Sequence, residues 1–378
     1  MNSPERFAEP LYVSKPALPP LADYVALLDE VWASSTLTNL GPLHQRLEVA
    51  VGERIGRGAT SLWSSGTAAL VGAIQALRFQ GSVVVTPFTF PATVHALAAL
   101  GIEPVFADVD PETLTLDPAS VATRIRADTT GVAATHVYGA LCDTDGLAAI
   151  ASDANLRVLY DGAHSFSRPG ALFPDRDSVL GDITIFSFHA TKLFHTAEGG
   201  AATTEDPELD RRLRLARNFG ITAEDRVEGV GLNGKMSELH AAMGLSVLSL
   251  LDVELEQRRV LAAVYLEGLT DLPGLSVVAG AGENLPYFVV RIDPTEFGST
   301  RDELHATLRA MNVMSRRYFF PLCADLDPYR HLPSARDLPV ARRAADEVLA
   351  LPFHTGMSPV DAARVASFVR WHRSGGRP

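Results

Sequence analysis

The sequence predicts an α/β protein. It has a large domain whose mostly parallel sheet lies between helices, and a smaller α/β domain at the C-terminal end. Three observations lead there. Short apolar runs alternate with helical periods from about residue 60 to residue 160. Glycine, proline and small polar residues separate them, as strand-to-helix loops require. After Gly231 the alternation stops, and Ser237 to Glu256 reads as one long helix joining two parts. We place the large domain at 1–250 and the small one at 251–378.

The elements follow in order. Residues 1–20 are proline-rich and irregular, and Leu21–Trp32 reads as a helix. A turn cluster, Thr36 to Pro42, precedes a helix to about Ile55. Strands are expected at Thr60–Trp63, Ser82–Thr86, Pro104–Ala107, Val132–Thr135 and Arg157–Tyr160. Helices are expected between them at Thr67–Arg78, Ala92–Leu100 and Gly146–Ser152. Ile183–Phe188 and Ala201–Thr204 read as strand, turn, strand. The C-terminal part should hold strands Tyr287–Ile292 and Val313–Tyr318, with helices at Arg301–Met311, Val340–Leu349 and Pro359–Trp371.

Composition narrows the function. With 378 residues, 47% of them hydrophobic, the chain can bury a large core. No run of about 18 uninterrupted apolar residues occurs, and the N-terminus lacks a signal-peptide pattern, so a cytoplasmic protein is expected, with no membrane span. The two cysteines, Cys142 and Cys323, make no disulfide framework and have no metal-ligand spacing. No metal is therefore expected. A net charge of −12 argues against nucleic acid, though a pocket can be locally basic. Of 33 Lys+Arg, three are lysine (Lys15, Lys192, Lys235), which leaves 30 arginines. Where arginine supplies nearly every positive charge, a retained lysine either serves as an amine or is a neutral remnant of codon bias.

Lys192 stands in the most informative stretch, Gly181 to Gly200. Ser187, His189 and Lys192 lie within six positions of one another, with the lysine at the tip of the expected turn. A lysine held there can form a Schiff base. Ser64-Ser-Gly-Thr67 joins a strand to a helix. Gly66 allows close backbone approach, Thr67 offers a hydroxyl, and the free N–H groups suit a phosphate, although the same turn also serves as a helix cap. Thr86-Pro-Phe-Thr-Phe90 ends the next strand, and its aromatics can stack on a flat ring or pack in the core. Asp161 ends a buried strand, where a carboxylate needs a cation. A protonated pyridine nitrogen is such a cation. Ala163 is small enough to lie beneath a ring, and His164 can bond a ring hydroxyl. In Asn233-Gly-Lys-Met-Ser-Glu238, Lys235 can add charge to a phosphate, while Ser237 and Glu238 suit a helix start. An amine, an acid, a ring platform and a phosphate cradle are the parts that pyridoxal 5′-phosphate requires.

The motifs Ser-Gly-Thr-Ala-Ala-Leu, Thr-Phe-x-Ala-Thr, Asp-x-Ala-His, Ser-Phe-His-x-Thr-Lys, Glu-Gly-Gly and Asn-Gly-Lys-Met-Ser-Glu resemble, in order and spacing, those of the DegT/DnrJ/EryC1/StrS family of nucleotide-sugar aminotransferases. Within that family, Leu-Thr-Asn-x-Gly-Pro, Asn-Gly-Lys-Met and Arg316-Arg-Tyr-Phe-Phe-Pro321 are similar to enzymes that make dTDP-4-amino-4,6-dideoxy-D-glucose. The resemblance implies the aspartate-aminotransferase fold (pyridoxal-phosphate fold type I) with a seven-stranded sheet. It also implies a homodimer with active sites at the subunit interface. By position, Lys192 is the Schiff-base lysine and Asp161 the partner of the pyridine nitrogen. Phe90 stacks on the ring, Ala163 backs it, and His164 lies near its hydroxyl. Gly66, Thr67 and Ser187 hold the phosphate, and Asn233 and Lys235 reach it from the neighbouring subunit. Asp161-Gly-Ala stands where Asp-Ala-Ala is commoner.

The expected reaction moves an amino group from L-glutamate to the 4-keto carbon of a dTDP-4-keto-6-deoxyhexose, with pyridoxamine 5′-phosphate formed during turnover. Lys192 acts as general acid and base. Arg316 and Arg317 are candidates for the sugar's diphosphate, and Thr38, Asn39, His189 and Tyr318 for other substrate contacts. The alternatives are amination at C3 of the sugar, or a non-catalytic cofactor- or sugar-binding regulator. Related sugar 3-dehydrases carry His at the lysine position, so Lys192 speaks for transamination. A nicotinamide oxidoreductase would need a Gly-x-Gly-x-x-Gly fingerprint that is missing here.

Overall fold

The first half alternates as expected. A computed structural model describes residues 4–56, 58–166, 181–278 and 285–377. In chain order its elements are α1 (Leu21–Ser34), α2 (Pro42–Ile55), β1 (Ala59–Trp63), α3 (Gly66–Leu77), β2 (Ser82–Val85), α4 (Pro91–Ala99), β3 (Glu103–Phe106), α5 (Pro118–Arg124), β4 (Thr129–Thr135), α6 (Thr144–Asp153), β5 (Arg157–Asp161), β6 (Ile183–Ser187), β7 (Gly200–Thr204) and α7 (Pro207–Arg217). The seven strands form one sheet in the order β1-β7-β6-β5-β4-β2-β3. From β3 across to β6 every neighbouring pair is parallel. Only β7 runs against its neighbours, β6 and β1.

This topology gathers the strand ends. Trp63 and Ser187 both pair with Gly200, and Thr135 pairs with Asp161. The carboxyl ends of β1, β4, β5 and β6 therefore lie along one edge, where open α/β sheets bind ligands. Strands such as Ser82–Val85 are buried throughout, as helices on both faces require. On α3, Gly72 lies under the Trp63 indole, and a Cβ there would sit 2.0 Å from the ring. That glycine sets how closely α3 approaches the sheet.

The expected single helix from 237 to 256 is two: α8 (Glu238–Leu248) and α9 (Leu251–Leu269). Ser246 and Ser249 bond back to the carbonyls of Ala242 and Ser246 at 3.0 and 2.8 Å. Such back-bonding bends helices. The apolar pattern runs through the break because both helices are partly buried. A second sheet follows, with β8 (Leu275–Val277), β9 (Phe288–Ile292) and β10 (Val348–Leu351) in that order, all antiparallel. Around it lie α10 (Arg301–Ala310), α11 (Pro339–Glu347) and α12 (Pro359–Arg373). The expected helix to Leu349 therefore ends at Glu347, and Val348-Leu-Ala-Leu351 is a strand. A short, fully buried apolar run carries no period that separates the two. The expected strand Val313–Tyr318 keeps two residues, Val313–Met314, paired in parallel with Leu11–Tyr12. Arg316 then bridges to Ala350.

One contact ties the N-terminal helices to α8. Gly41 precedes α2 and offers no side-chain cap. The buried Glu238 carboxylate takes that role from the first turn of α8, accepting the N–H groups of Leu43 and His44 at 2.8 Å each. Replacing it leaves two buried donors unsatisfied. Glu238→Ala should destabilise the protein by about 2–4 kcal/mol in denaturant unfolding, with Glu238→Gln costing less. Equal stability of wild type and Glu238→Ala would refute this capping role.

Buried histidines set the acid limit. Burial pushes His44, His354 and His372 down to about 4, and His164 well below its ordinary value. In the unfolded chain they titrate near 6.5. Each is depressed in the fold, so the unfolded state binds more protons once pH falls below about 6.5. Stability should be full above that value and decline toward pH 4. A denaturation midpoint at pH 5 clearly below that at pH 7.5 is the expected result; a flat profile contradicts it.

Candidate active site

The strand ends of the first sheet and segments next to the second sheet, at Tyr287, Arg316, Tyr318 and Phe319, line a cavity of about 290 Å³. Ser65 caps α3 by accepting the Ala68 N–H at 3.0 Å, which leaves the N–H groups of Gly66 and Thr67 at the helix start without intrahelical partners. A Cβ on Gly66 would lie 2.9 Å from the Ser187 Cβ, so glycine lets α3 start directly against the end of β6. Gly66, Thr67 and Ser187 thus share one wall of the cavity. Phe90 lines it from the start of α4 and is 58% exposed, so its own chain leaves a ring face open.

Asp161 is buried and lines the same cavity. Its Oδ2 accepts from the Thr93 hydroxyl at 2.6 Å and its Oδ1 from the Ala163 N–H at 3.0 Å. Burial raises its pKa, while Thr93, the Ala163 N–H and the Lys192 charge pull the other way. Gly162 follows under tight constraint, since a Cβ there would stand 2.8 Å from the Ile185 carbonyl. That contact gives a local reason for glycine at this position. His164 lies with its ring parallel to Phe319 at 5.8 Å and edge-on to Tyr287 at 5.0 Å. Its Nδ1 accepts the Tyr138 N–H at 3.3 Å. Burial, then the Lys192 charge, keeps it neutral.

Lys192 lies in the turn between β6 and β7. Its ammonium donates to the Tyr287 hydroxyl at 3.3 Å. Burial lowers its pKa, with Tyr318 and Asp161 opposing, so the neutral amine is favoured more than in water. Tyr287 was not singled out from the sequence. It immediately precedes β9, nearly 100 positions from Lys192, and no local pattern marks it. A buried arginine sets its place: Arg258 on α9 donates to the carbonyls of Leu285 and Pro286 at 3.0 and 3.1 Å. Thr93 belongs to a quoted motif, yet its bond to Asp161 is visible only in the fold.

The remaining candidates divide. His189, Arg316 and Tyr318 line the cavity. Arg316 lies over the Tyr318 ring at 5.1 Å. Arg317 does not line it; its guanidinium pairs with Asp302 at 3.2 Å and covers Phe320. Thr38 and Asn39 are exposed in the turn before α2, with Asn39 at φ 62°. Asn233 bridges Asn218. The Lys235 ammonium donates to the Asn218 side chain at 2.9 Å and lies over Phe219 at 4.9 Å. None of these last four lines the cavity of its own chain.

Residues 22–370 match the DegT/DnrJ/EryC1/StrS aminotransferase family. The chain is 39% identical over 367 residues to a dTDP-4-amino-4,6-dideoxy-D-glucose transaminase of Shigella dysenteriae, covering 96% of this chain and 99% of that one. It is 35% identical over 354 residues to a protein of the same description from Escherichia coli, covering 92% and 94%. Among solved structures it is similar to DesI, crystallised in the presence of its TDP-sugar product. The TM-score is 0.92 and the identity 37%, with 99% of this chain and 96% of that chain covered.

Proposed function

The chain belongs to the DegT/DnrJ/EryC1/StrS aminotransferase family, and we propose that it transfers an amino group from L-glutamate to the 4-keto carbon of a dTDP-4-keto-6-deoxyhexose, giving dTDP-4-amino-4,6-dideoxy-D-glucose. The observation that carries this reading is the meeting of a half-buried amine, Lys192, and a buried carboxylate, Asp161, in one cavity beside a helix start. The names of the relatives support the 4-amino product.

The donor set fits pyridoxal 5′-phosphate. Lys192 would hold it covalently, and Asp161 would face its ring nitrogen. Phe90 and Ala163 would flank the ring, with His164 near its hydroxyl. Gly66, Thr67 and Ser187 would take the phosphate, with Asn233 and Lys235 reaching it from the second subunit of a homodimer. That Asn233 and Lys235 lie outside their own chain's cavity agrees with a shared site. When bound, this cofactor supplies an electron sink and carries the amino group between the two substrates.

The chain's own groups do the rest. Lys192, once free, takes the proton from the donor's α-carbon and returns one to the acceptor's C4. Burial lowers its pKa and so favours the neutral amine that a base must be. Asp161, whose charged form the Thr93 hydroxyl, the Ala163 N–H and the Lys192 charge support against burial, would favour a cation opposite it. Arg316 offers the diphosphate a guanidinium at the cavity wall, whereas Arg317 is occupied by Asp302. Among the described residues no helix is long and apolar enough to cross a membrane, and we place the enzyme in the cytoplasm.

Visible absorption tests the first half of the reaction. Wild type should show a cofactor band that L-glutamate bleaches and the 4-keto sugar nucleotide restores. Lys192→Ala should lack the covalent band and lose about 10²–10⁴-fold in turnover. A wild type that takes up no pyridoxal phosphate would end the reading, and restoration by a 3-keto nucleotide alone would move the amination to C3. For the nucleotide, Arg316→Gln should raise KM by about tenfold or more with little change in kcat, and Arg317→Gln should stay within about twofold. Equal effects would remove the distinction between the two arginines.

A further inference from the structure

A line of hydroxyls runs behind Asp161. Thr93 Oγ1 donates to its carboxylate at 2.6 Å. Thr89 Oγ1 lies 3.0 Å from Thr93 Oγ1, and Thr135 Oγ1 lies 2.9 Å from Thr89 Oγ1. All three threonines are buried. They come from the loop after β2, the first turn of α4 and the end of β4, and Thr135 pairs in register with Asp161 itself. Three isolated buried hydroxyls would each be a cost; in line they satisfy one another.

The line has a direction. An ionised carboxylate only accepts, so Thr93 must give its single proton to Asp161. Thr89 must then donate to Thr93, and Thr135 to Thr89. Each O–H polarises the next toward the charge. A protonated Asp161 would remove that demand and let the line reverse. Two thiols hold the backbone, one at the far end of the line and one at its middle. Cys142 Sγ donates to the Thr135 carbonyl at 3.2 Å and Cys323 Sγ to the Thr89 carbonyl at 3.3 Å. They are the chain's two cysteines, and burial pushes both up, Cys323 to about 12, so they remain S–H donors.

We propose that Thr89, Thr93 and Thr135 are positioning residues that keep Asp161 ionised and aimed into the cavity, with Cys142 and Cys323 as neutral donors that hold the line in place. The inference rests on Asp161 facing the cofactor's ring, as proposed above. Other groups also bear on Asp161. Lys192, from the β6–β7 turn, favours its charge. His164, from the segment after β5, is neutral. From the segment after β4, Cys142 is neutral, and the His136 backbone N–H bonds the Asp161 carbonyl at 3.0 Å. Against burial, the Thr93 hydroxyl, the member of the line that touches Asp161, opposes first.

The test is binding of pyridoxal phosphate to the apoprotein between pH 6 and pH 8, read by fluorescence, for wild type, Thr93→Val, Thr93→Ser and Thr89→Val. Dividing each variant's Kd by that of wild type cancels the cofactor's own titration. Without its donor, Asp161 protonates at higher pH, so the Thr93→Val ratio should climb as pH falls, reaching about tenfold or more at pH 6. Thr89→Val, which leaves the direct bond in place, should climb a few-fold and reports even if Thr93→Val does not fold. Thr93→Ser should stay near one. A Thr93→Val or Thr89→Val ratio that does not change with pH, or a Ser variant that behaves like Val, overturns the proposal. Asp161→Asn separates the two layers: if it binds like wild type, Asp161 is not the ring's partner and the cofactor reading itself fails at that residue.

Discussion

A carboxylate can leave water for the end of a central strand only if donors and a cation replace the solvent it loses. Asp161 has two donors from its own chain, the Thr93 hydroxyl and the Ala163 N–H, and shares its cavity with the Lys192 amine, whose charged form favours its ionisation. The surrounding structure serves that arrangement. The parallel pairing of β4 with β5 brings Thr135 level with it, and the tight turn at Gly162 aims the Ala163 N–H back at it. What the protein leaves open is the side facing the cavity, where a cationic ring nitrogen would complete the set.

Charge is allocated by chemistry. Buried structural cations are arginines, whose planar fork satisfies several acceptors at once. Arg217 bonds Glu48 and the Leu62 carbonyl, joining α7, α2 and β1. Arg301 bonds the carbonyls of Ala345 and Val348. Arg258 holds the segment that leads to Tyr287. The amine at the centre of the site is a lysine, because a guanidinium stays protonated where an ammonium can be desolvated into a neutral base.

The site is built from the first sheet and from segments that flank the second. β5, β6 and the start of α3 supply the carboxylate, the amine and the helix N-terminus. The later part of the chain supplies Tyr287, Tyr318, Phe319 and Arg316. Arg316 is fixed by its paired backbone bonds to Ala350 on β10, so the second sheet decides which of two adjacent arginines faces the cavity. The aromatic stack of His164, Phe319 and Tyr138 joins the two parts beneath the pocket.

By itself the sequence determined the alternation of strands and helices, the strand-end positions of Gly66, Phe90, Asp161 and Ser187, and the singular place of Lys192. These are local matters: period, loop chemistry and the scarcity of lysine suffice. The tertiary structure alone decided the break between α8 and α9, the strand at Val348–Leu351, the capping of α2 by Glu238, and the division between Arg316 and Arg317. It alone brought Tyr287 to Lys192 and aligned Thr135, Thr89 and Thr93 behind Asp161. Each of these joins residues whose meeting depends on sheet order or on which buried partner wins a backbone group. A local pattern records what a segment can do, whereas such meetings depend on which segments the fold places side by side.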